Sequence, residues 1–253
     1  MTTIFAINGM DGSANSIAFA PPVSNGLLAW FHMGGTAGAT TRNRADGQAD
    51  GSIAGTVTYS SGYFTSSNQN NRLDTTILQT EAATLLCVAR SGAAFNSIST
   101  RPTLVGSYSS HLTGVQGAAL QVTGTPSSAP AATVALTASR NNSGVPVMTP
   151  ASLTVADFSQ WTFLAGVVKA GAVSNARAIY DKTNGNSAFA TPATGRLFDA
   201  TNPIRFGNMS SLVYGTNDMA WGAYYNRDLS EEEIDQIYTF VKKRLGDKFS
   251  INI

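Results

Sequence analysis

The chain has 253 residues, of which 43% are apolar and only 12% are charged, and its formal net charge is +1. The charged share is about half that of an average globular protein, so the surface must be built largely from Ser, Thr, Asn, Gln and Gly. This composition argues against nucleic acid as a partner, because phosphate binding needs a basic patch. No apolar run reaches the ~20 residues of a membrane-spanning helix, so membrane insertion is not expected.

Residues 1–22 are predicted to form an N-terminal arm that serves in attachment or oligomerisation. The turn-forming segment 10–13 (MDGS) and the pair Pro21-Pro22 interrupt both helix and central strand. The first residues also lack the basic start and long apolar stretch of a standard signal peptide. We therefore expect a protein that stays soluble where it is made, or that leaves the cell by lysis or inside a particle. One β-sandwich domain is expected over residues 23–253.

Many short strands separated by turn-forming residues are predicted from Gly26 onward. Both alternating sets of side chains between Leu27 and Met33 are rich in apolar residues, which indicates a strand buried on both faces. Further strands are predicted at 53–59, 62–65, 84–89, 103–107, 118–123, 133–138, 161–169, 176–180, 204–206 and 219–225. Because no helices are predicted between them, the fold class is all-β, an antiparallel β-sandwich.

The single cysteine, Cys87, lies in the apolar run 84–89. An intrachain disulfide is therefore excluded, and we predict a buried, unreactive thiol.

One C-terminal α-helix is predicted at about residues 230–245. Ser230 and Glu233 have the spacing of a capping box. Acidic residues fill the first turn, basic residues fill the last, and Gly246 is expected to end the helix. One apolar stripe is formed at spacings of three and four by Ile234, Ile237, Tyr238, Val241 and Leu245.

The order of these features resembles the concanavalin A-like, laminin-G-like jelly roll of bacterial surface and bacteriophage virion proteins. Residues 26–31 (GLLAWF) resemble its opening strand, and residues 160–167 (QWTFLAGV) resemble a later strand that begins with Trp. The most specific segment is 223–234 (AYYNRDLSEEEI), which resembles the strand–YNR-x-LS–helix ending of many members. The resemblance covers about residues 26–246 and implies a jelly-roll sandwich.

The chain departs from this family at a strand that carries an acidic pair in many members. Ala220 and Trp221 occupy those positions here, and Asp218 is the one carboxylate close by. Calcium usually takes six to eight oxygen ligands. We therefore predict no cofactor, since calcium has no clear ligand set.

We predict no enzymatic activity. Glycosidases of this fold carry alternate carboxylates along one strand, whereas the only close acidic string, 233–235 (EID), lies in the predicted helix. The two histidines, His32 and His111, lack the spacing of a metal site. A pair assembled from distant loops, Asp181 with Asp199 or Asp218, is the alternative that stays open.

Aromatic residues beside polar loops are the candidates for ligand binding, because sugars stack on exposed rings and bond to neighbouring polar groups. Tyr63 lies beside such loops, although Tyr is also an ordinary core or rim residue. The predicted ligand-binding residues are Tyr108, His111, Tyr214, Asn217 and Asp218.

Our leading hypothesis is a bacteriophage virion protein, such as a tail-tip, fibre or decoration subunit, that could also bind host-surface glycan. It would be made in the host cytoplasm, and its partners would be other virion subunits or further copies of itself. The alternative is a lectin-like carbohydrate-binding or adhesion module on the outer surface of a bacterium. Fold alone does not decide between them.

Overall fold

The computed structural model describes residues 20–107, 117–125, 129–143, 145–198, 201–209 and 212–253. Two antiparallel sheets face each other, which confirms the predicted all-β sandwich with a C-terminal helix. Sheet A has the order β13 (Asn186–Ala190), β12 (Arg177–Asp181), β11 (Thr162–Val168), β6 (Ala83–Arg90), β15 (Asn217–Tyr225), β4 (Phe64–Ser66) and β3 (Thr58–Tyr59), and β1 (Leu27–His32) also pairs with β15. Sheet B has the order β10 (Val145–Val155), β9 (Ala132–Asn142), β8 (Ala119–Gly124), β7 (Thr103–Gly106), β14 (Pro203–Gly207), β5 (Arg72–Leu78) and β2 (Ser52–Ala54).

The central strands of sheet A are buried on both faces, as the sequence predicted for the first of them, β1. In β1, Ala29 and Phe31 contribute to the core between the two sheets. Trp30 points the other way, into a second core beneath helix α2 (Glu231–Phe249). Because β6 and β11 divide their apolar residues in the same manner, the molecule has three layers: sheet B, sheet A and α2.

The predicted strand at 53–59 is wrong, because the chain changes sheets within it. β2 pairs with β5 in sheet B, whereas β3 pairs with β4 in sheet A. The corner lies at Gly55, whose φ of +70° favours glycine. A Cβ there would also lie 2.5 Å from Oδ1 of Asn71, so glycine is needed for the close approach as well.

Three strands, β5, β10 and β13, were not predicted. β10 contains Pro146 and Pro150, which argue against a central strand, and it is in fact the edge of sheet B. β13 is a short edge strand of sheet A. A short helix, α1 (Ala37–Thr41), was also missed; it follows β1 and is capped by the Thr36 hydroxyl, which accepts from the Ala39 N–H at 3.2 Å.

Helix α2 confirms the predicted capping box, but it ends later than predicted. The Ser230 hydroxyl accepts from the Glu233 N–H, and the Glu233 carboxylate accepts from the Ser230 N–H at 2.9 Å. The helix continues through Gly246 to Phe249 and ends at Ser250, whose φ is +55°. The segment after Gly246 stays helical because Phe249 packs with the second core. No helix among the described residues combines the length and apolarity needed to cross a membrane.

The YNR ending ties the start of the sandwich to the start of α2. Arg227 binds the Glu233 carboxylate with two nitrogens at 2.9 and 2.6 Å, and its Nε donates to the Asn25 carbonyl at 2.9 Å. The Tyr225 hydroxyl donates to the Val23 carbonyl at 2.9 Å. Tyr225 and Arg227 of the motif therefore have structural roles.

Candidate functional site

A small polar pocket lies where loops of the two sheets meet. We call it the Tyr214 pocket; its volume is about 230 Å³ and it is lined by Ser67, Ala93, Ala94, Ser99, Thr100, Tyr214, Gly215 and Thr216. Its polar side chains are all hydroxyl-bearing, and no charged side chain lines it. Tyr214 is half-buried, so part of its side chain reaches solvent. The pocket suits a small neutral ligand rich in hydroxyl groups.

Backbone contacts fix the loop that carries Tyr214. The Gly215 N–H donates to the Arg101 carbonyl at 3.1 Å, and a Cβ on Gly215 would lie 1.9 Å from the Thr100 carbonyl oxygen. The buried amide of Asn208 donates to the carbonyls of Tyr214 and Gly215, both at 3.0 Å. The backbone that presents Tyr214 at the pocket is therefore fixed before a ligand arrives.

Asn217 and Asp218 follow this loop but are engaged in the fold. Asn217 is buried, and its amide donates to the Gly215 carbonyl at 3.3 Å. Oδ2 of Asp218 accepts from Nε of Arg90 at 2.9 Å, and Oδ1 accepts from the Thr65 hydroxyl at 2.7 Å. The structure thus brings Tyr214 to the pocket, and both carboxylate oxygens of Asp218 already have partners.

Two of the predicted ligand residues, Tyr108 and His111, lie outside the described residues, and so does Asp199. Their roles stay predictions. Tyr63, the other aromatic candidate, packs edge-to-face on Trp161 with ring centroids 5.3 Å apart. The Arg90 guanidinium lies over both rings, so Tyr63 has a structural role between β4 and β11.

Sequence reasoning missed the hydroxyl residues that complete the pocket. Ser67 follows β4, Ser99 and Thr100 lie in a 3-10 turn (Ile98–Thr100), and Thr216 precedes β15. Single Ser and Thr residues are common throughout this chain, so no local pattern marks these four. Only the convergence of three loops distinguishes them.

A second cavity, of about 170 Å³, lies beside the C-terminal end of α2 and shares no lining residue with the Tyr214 pocket. His32 lies in its wall, and Nε2 of this side chain accepts from Nε1 of Trp30 at 3.4 Å and from Nε of Arg244 at 3.1 Å. Burial, followed by the positive charges of Arg244, Arg44 and Lys248, lowers the pKa of His32 well below its ordinary value. The imidazole is therefore neutral at pH 7 and is hydrogen-bonded within the fold.

Asp181 and Asp218, one of the carboxylate pairs left open for catalysis, lie too far apart to act together as a glycosidase pair. Asp181 lies on β12 and Asp218 on β15, three strand positions apart in sheet A, so at least about 14 Å separate them at ~4.8 Å per strand. Retaining and inverting glycosidases need their carboxyl groups roughly 5–9.5 Å apart. Asp181 is fully buried and accepts from the Asn184 backbone N–H at 3.1 Å, and burial raises its carboxyl pKa.

The part of the chain that the structure describes contains no set of side chains suited to bind a metal ion. No group of three His, Cys, Asp or Glu side chains there could hold an ion. Cys87 is fully buried, and burial raises the pKa of its thiol, so this side chain is unreactive as predicted.

The chain matches no protein-family model and no curated protein. It is similar in structure to the receptor-binding domain of botulinum neurotoxin type G, with a TM-score of 0.56 and 10% identity over 87% of this chain and 52% of that chain. The binding domain of serotype D gives a TM-score of 0.57 with 11% identity over 88% and 52% of the two chains. The binding domain of neurotoxin DC, solved in complex with SialylT, gives 0.56 with 11% identity over 88% and 52%.

These likenesses show a shared β-sandwich fold of jelly-roll type. The chain spans about half the length of the structures that it resembles. The resemblance noted from sequence is therefore supported at the level of the fold.

Proposed function

We propose that this domain is a non-enzymatic carbohydrate-binding module and that its ligand enters the Tyr214 pocket. The observation that carries the proposal is a half-buried tyrosine on a fixed loop, in a pocket whose polar side chains are all hydroxyl-bearing. A sugar ring has apolar CH faces and a rim of hydroxyl groups. The ring of Tyr214 can stack on such a face, while the hydroxyls of Ser67 and Thr216 can each donate to or accept from sugar hydroxyls. The Thr100 hydroxyl already donates to the Ser97 carbonyl at 2.9 Å, so it shapes the wall of the pocket.

The size of the pocket favours a single sugar residue as the group that enters it. Pockets for drug-sized ligands enclose roughly 300–1,000 Å³, and this pocket encloses about 230 Å³. The absence of charge in the lining favours a neutral residue of a longer glycan. Affinity for one such unit is expected to be weak, and several copies of the domain would strengthen binding by avidity.

Fold-level analogy gives separate support to glycan binding. One structural neighbour is a binding domain in complex with SialylT, and another is a ligand-binding domain in complex with N-acetylneuraminic acid. Those ligands are bound by those proteins, and a fold of this kind supports several functions. The specific argument for this chain remains the chemistry of its own pocket.

The biological setting that we propose is a bacteriophage virion, in which the sandwich faces outward and binds a polysaccharide of the host surface. Its support is the charge-poor surface, with 12% charged residues in the chain, and the sequence resemblance to domains of virion proteins. The alternative is a lectin-like or adhesion module of a bacterium. Immunogold labelling of purified particles with an antibody to this domain distinguishes the two settings, since only a virion subunit labels the particle.

The first prediction tests Tyr214. Retention of the protein on immobilised bacterial surface polysaccharides is expected to fall about tenfold or more in Tyr214→Ala, because the stacking face is lost; aromatic–base stacking of similar geometry contributes roughly 1–3 kcal/mol. Tyr214→Phe keeps the ring and is expected to retain most of the binding. Glycan-array fluorescence and affinity electrophoresis measure both variants.

The matched control is Phe189→Ala, which removes an aromatic ring that is 48% exposed on β13 and does not line the pocket. It is expected to bind like the wild type. Equal binding by Tyr214→Ala and the wild type would contradict the proposed site. New reducing ends in the same polysaccharide incubations would contradict the non-enzymatic function.

A further inference from the structure

We propose that residues 2–8 of the N-terminal arm add as a further strand to the open edge of β13 in a neighbouring copy of this chain. That edge is formed by Asn186–Ala190, the last strand on its side of sheet A. Pairing of this kind joins an extended segment to a sheet through backbone hydrogen bonds. No residue of the Tyr214 pocket takes part, so the pairing does not depend on the proposed function.

The outer edge of β13 has backbone groups that the fold leaves unpaired. Within the described part of the chain, the backbone of β13 forms hydrogen bonds to β12 alone. In an antiparallel pair, alternate residues direct their N–H and C=O groups away from the partner strand. Asn186, Ser187 and Phe189 are exposed, so this edge is accessible. A row of open donors and acceptors on an accessible edge is a template for one more strand.

Among the edge strands that the structure describes, β13 is the one without a protecting feature. β10, at an edge of sheet B, carries Pro146 and Pro150, and each proline removes a donor. β2 and β3 have only three and two residues. The outer edge of β1 is covered by the Asn43 side chain, which accepts from the Trp30 N–H and donates to the Leu28 carbonyl, both at 3.0 Å. β13 has five residues (NSAFA) with no proline, no charged side chain and no bulge in its pairing.

The arm contains a segment whose composition suits this edge. Residues 2–8 have the sequence TTIFAIN, in which five of the seven residues are β-branched or aromatic, the types enriched in strands. The segment has no charge, no proline and no glycine, so it can pair along the full length of β13. The other apolar part of the arm, 16–20 (SIAFA), has two β-branched or aromatic residues and is followed directly by Pro21. We therefore assign the pairing to residues 2–8.

The chain leaves the domain in a way that directs the arm to another copy. Val23 is buried and its carbonyl is bonded to Tyr225, whereas Ala20 and Pro22 on the arm side are exposed. Two consecutive prolines keep the chain extended at this point. Residues 9–22 can span up to ~46 Å at ~3.3 Å per residue, which is enough to bridge two adjacent domains. If each copy donates its arm to the other, both open edges are closed in a two-fold symmetric pair.

Hydrogen–deuterium exchange followed by mass spectrometry tests this pairing in the full chain and in a variant that lacks residues 2–8. The amides of β13 are expected to exchange about tenfold or more slowly in the full chain, because their outer N–H groups are bonded there. Multi-angle light scattering is expected to show a smaller assembly for the deletion variant. The central strand β6 reports the fold, and its exchange is expected to be equal in both proteins.

Proline substitutions at adjacent positions locate the paired segment. Neighbouring N–H groups of a strand face opposite sides, so one of Ile4→Pro and Phe5→Pro removes a donor that faces β13. At least one of these variants is expected to reproduce the faster exchange and the smaller mass of the deletion variant. The matched control is Phe19→Pro, which makes the same change in the other apolar part of the arm and is expected to leave both quantities unchanged.

Equal exchange of β13 in the full chain and in the deletion variant would overturn the proposal. Equal loss of protection in Phe5→Pro and Phe19→Pro would also overturn it, because the pairing would then not belong to residues 2–8. Protection of β13 in a full chain of monomeric mass would show that the arm docks on its own domain, which contradicts pairing between copies. Tyr214→Ala is expected to leave the exchange of β13 unchanged, which separates this proposal from the proposed function.

Discussion

At the scale of single residues, internal hydrogen bonds decide which polar side chains remain to contact a ligand. Asp218 has a partner on each carboxylate oxygen, Arg90 on one and Thr65 on the other. Tyr214 instead is positioned through its backbone, because Asn208 binds its carbonyl and leaves the ring at the pocket. A ligand-binding function is therefore better assigned to Tyr214 than to Asp218.

His32 gives a prediction on pH at this scale. Its pKa is lowered in the folded state, by burial first and by Arg244, Arg44 and Lys248 next. Since the unfolded chain then binds more protons, stability is present above the ordinary histidine pKa of ~6.5 and is lost as pH falls below it. The loss is at most about 1.4 kcal/mol for each pH unit.

Urea unfolding between pH 8 and pH 5 measures this effect. A His111→Gln background leaves His32 as the sole histidine of the chain. Adding His32→Gln keeps a hydrogen-bond acceptor for Arg244 and removes the titration, so the dependence between pH 6.5 and 5 is expected to flatten. An identical pH profile in both proteins would show that His32 is not responsible.

At the scale of elements, helix α2 forms the third layer of the molecule. Ile234, Ile237, Val241 and Leu245 are all fully buried against sheet A. On the face of sheet A that packs against the helix, Trp221 stacks on Phe163 with ring centroids 5.6 Å apart. The helix is thus part of the core, and the stability of the whole domain depends on it.

Val241→Asp tests this layer. Its side chain is fully buried, so the substitution places an unpaired carboxylate among apolar residues and is expected to lower the free energy of unfolding by about 3 kcal/mol or more. Gln236→Asp puts the same group on an exposed position of the same helix and is expected to change stability by less than about 0.5 kcal/mol. Thermal and urea unfolding measure both. A Val241→Asp protein as stable as wild type would show that α2 is not required for the core.

At the scale of the whole molecule, we propose that the N-terminal arm mediates assembly. Residues 1–19 lie outside the described residues, and the sequence of 1–22 has no pattern that could form a core of its own. The deletion must stop before Val23, which is buried and whose carbonyl accepts from the Tyr225 hydroxyl. Removing residues 2–19 is expected to leave a folded, soluble domain of smaller oligomeric state.

Multi-angle light scattering and thermal unfolding measure the result. The unchanged melting transition is the control, since the deletion spares both cores. If the deleted protein has the same oligomeric mass as the full chain, the arm has no role in assembly.

The sequence by itself determined the elements whose signal is local. Two of these signals lie within a few turns of one helix: the capping box of Ser230 and Glu233, and the apolar stripe through Val241. The third is the two-sided apolar pattern around Trp30, which lies within one strand. These patterns predict α2 and the central strands of sheet A, β1, β6, β11 and β15, because side-chain periodicity depends only on backbone geometry. The same patterns missed β10, because its two prolines are tolerated only at a sheet edge, and the sequence does not state which strand is the edge.

Only the tertiary structure decided which residues line the two pockets. Arg44 and Lys248 are 204 positions apart in the chain (248 minus 44), and they line one cavity because β1 pairs with β15 and α2 packs across sheet A. Thr100 and Tyr214 likewise meet because Gly215 allows its loop to press against the 3-10 turn. Such convergence depends on strand order and close approach between distant segments, which are properties of the packed chain and leave no periodic trace in the sequence.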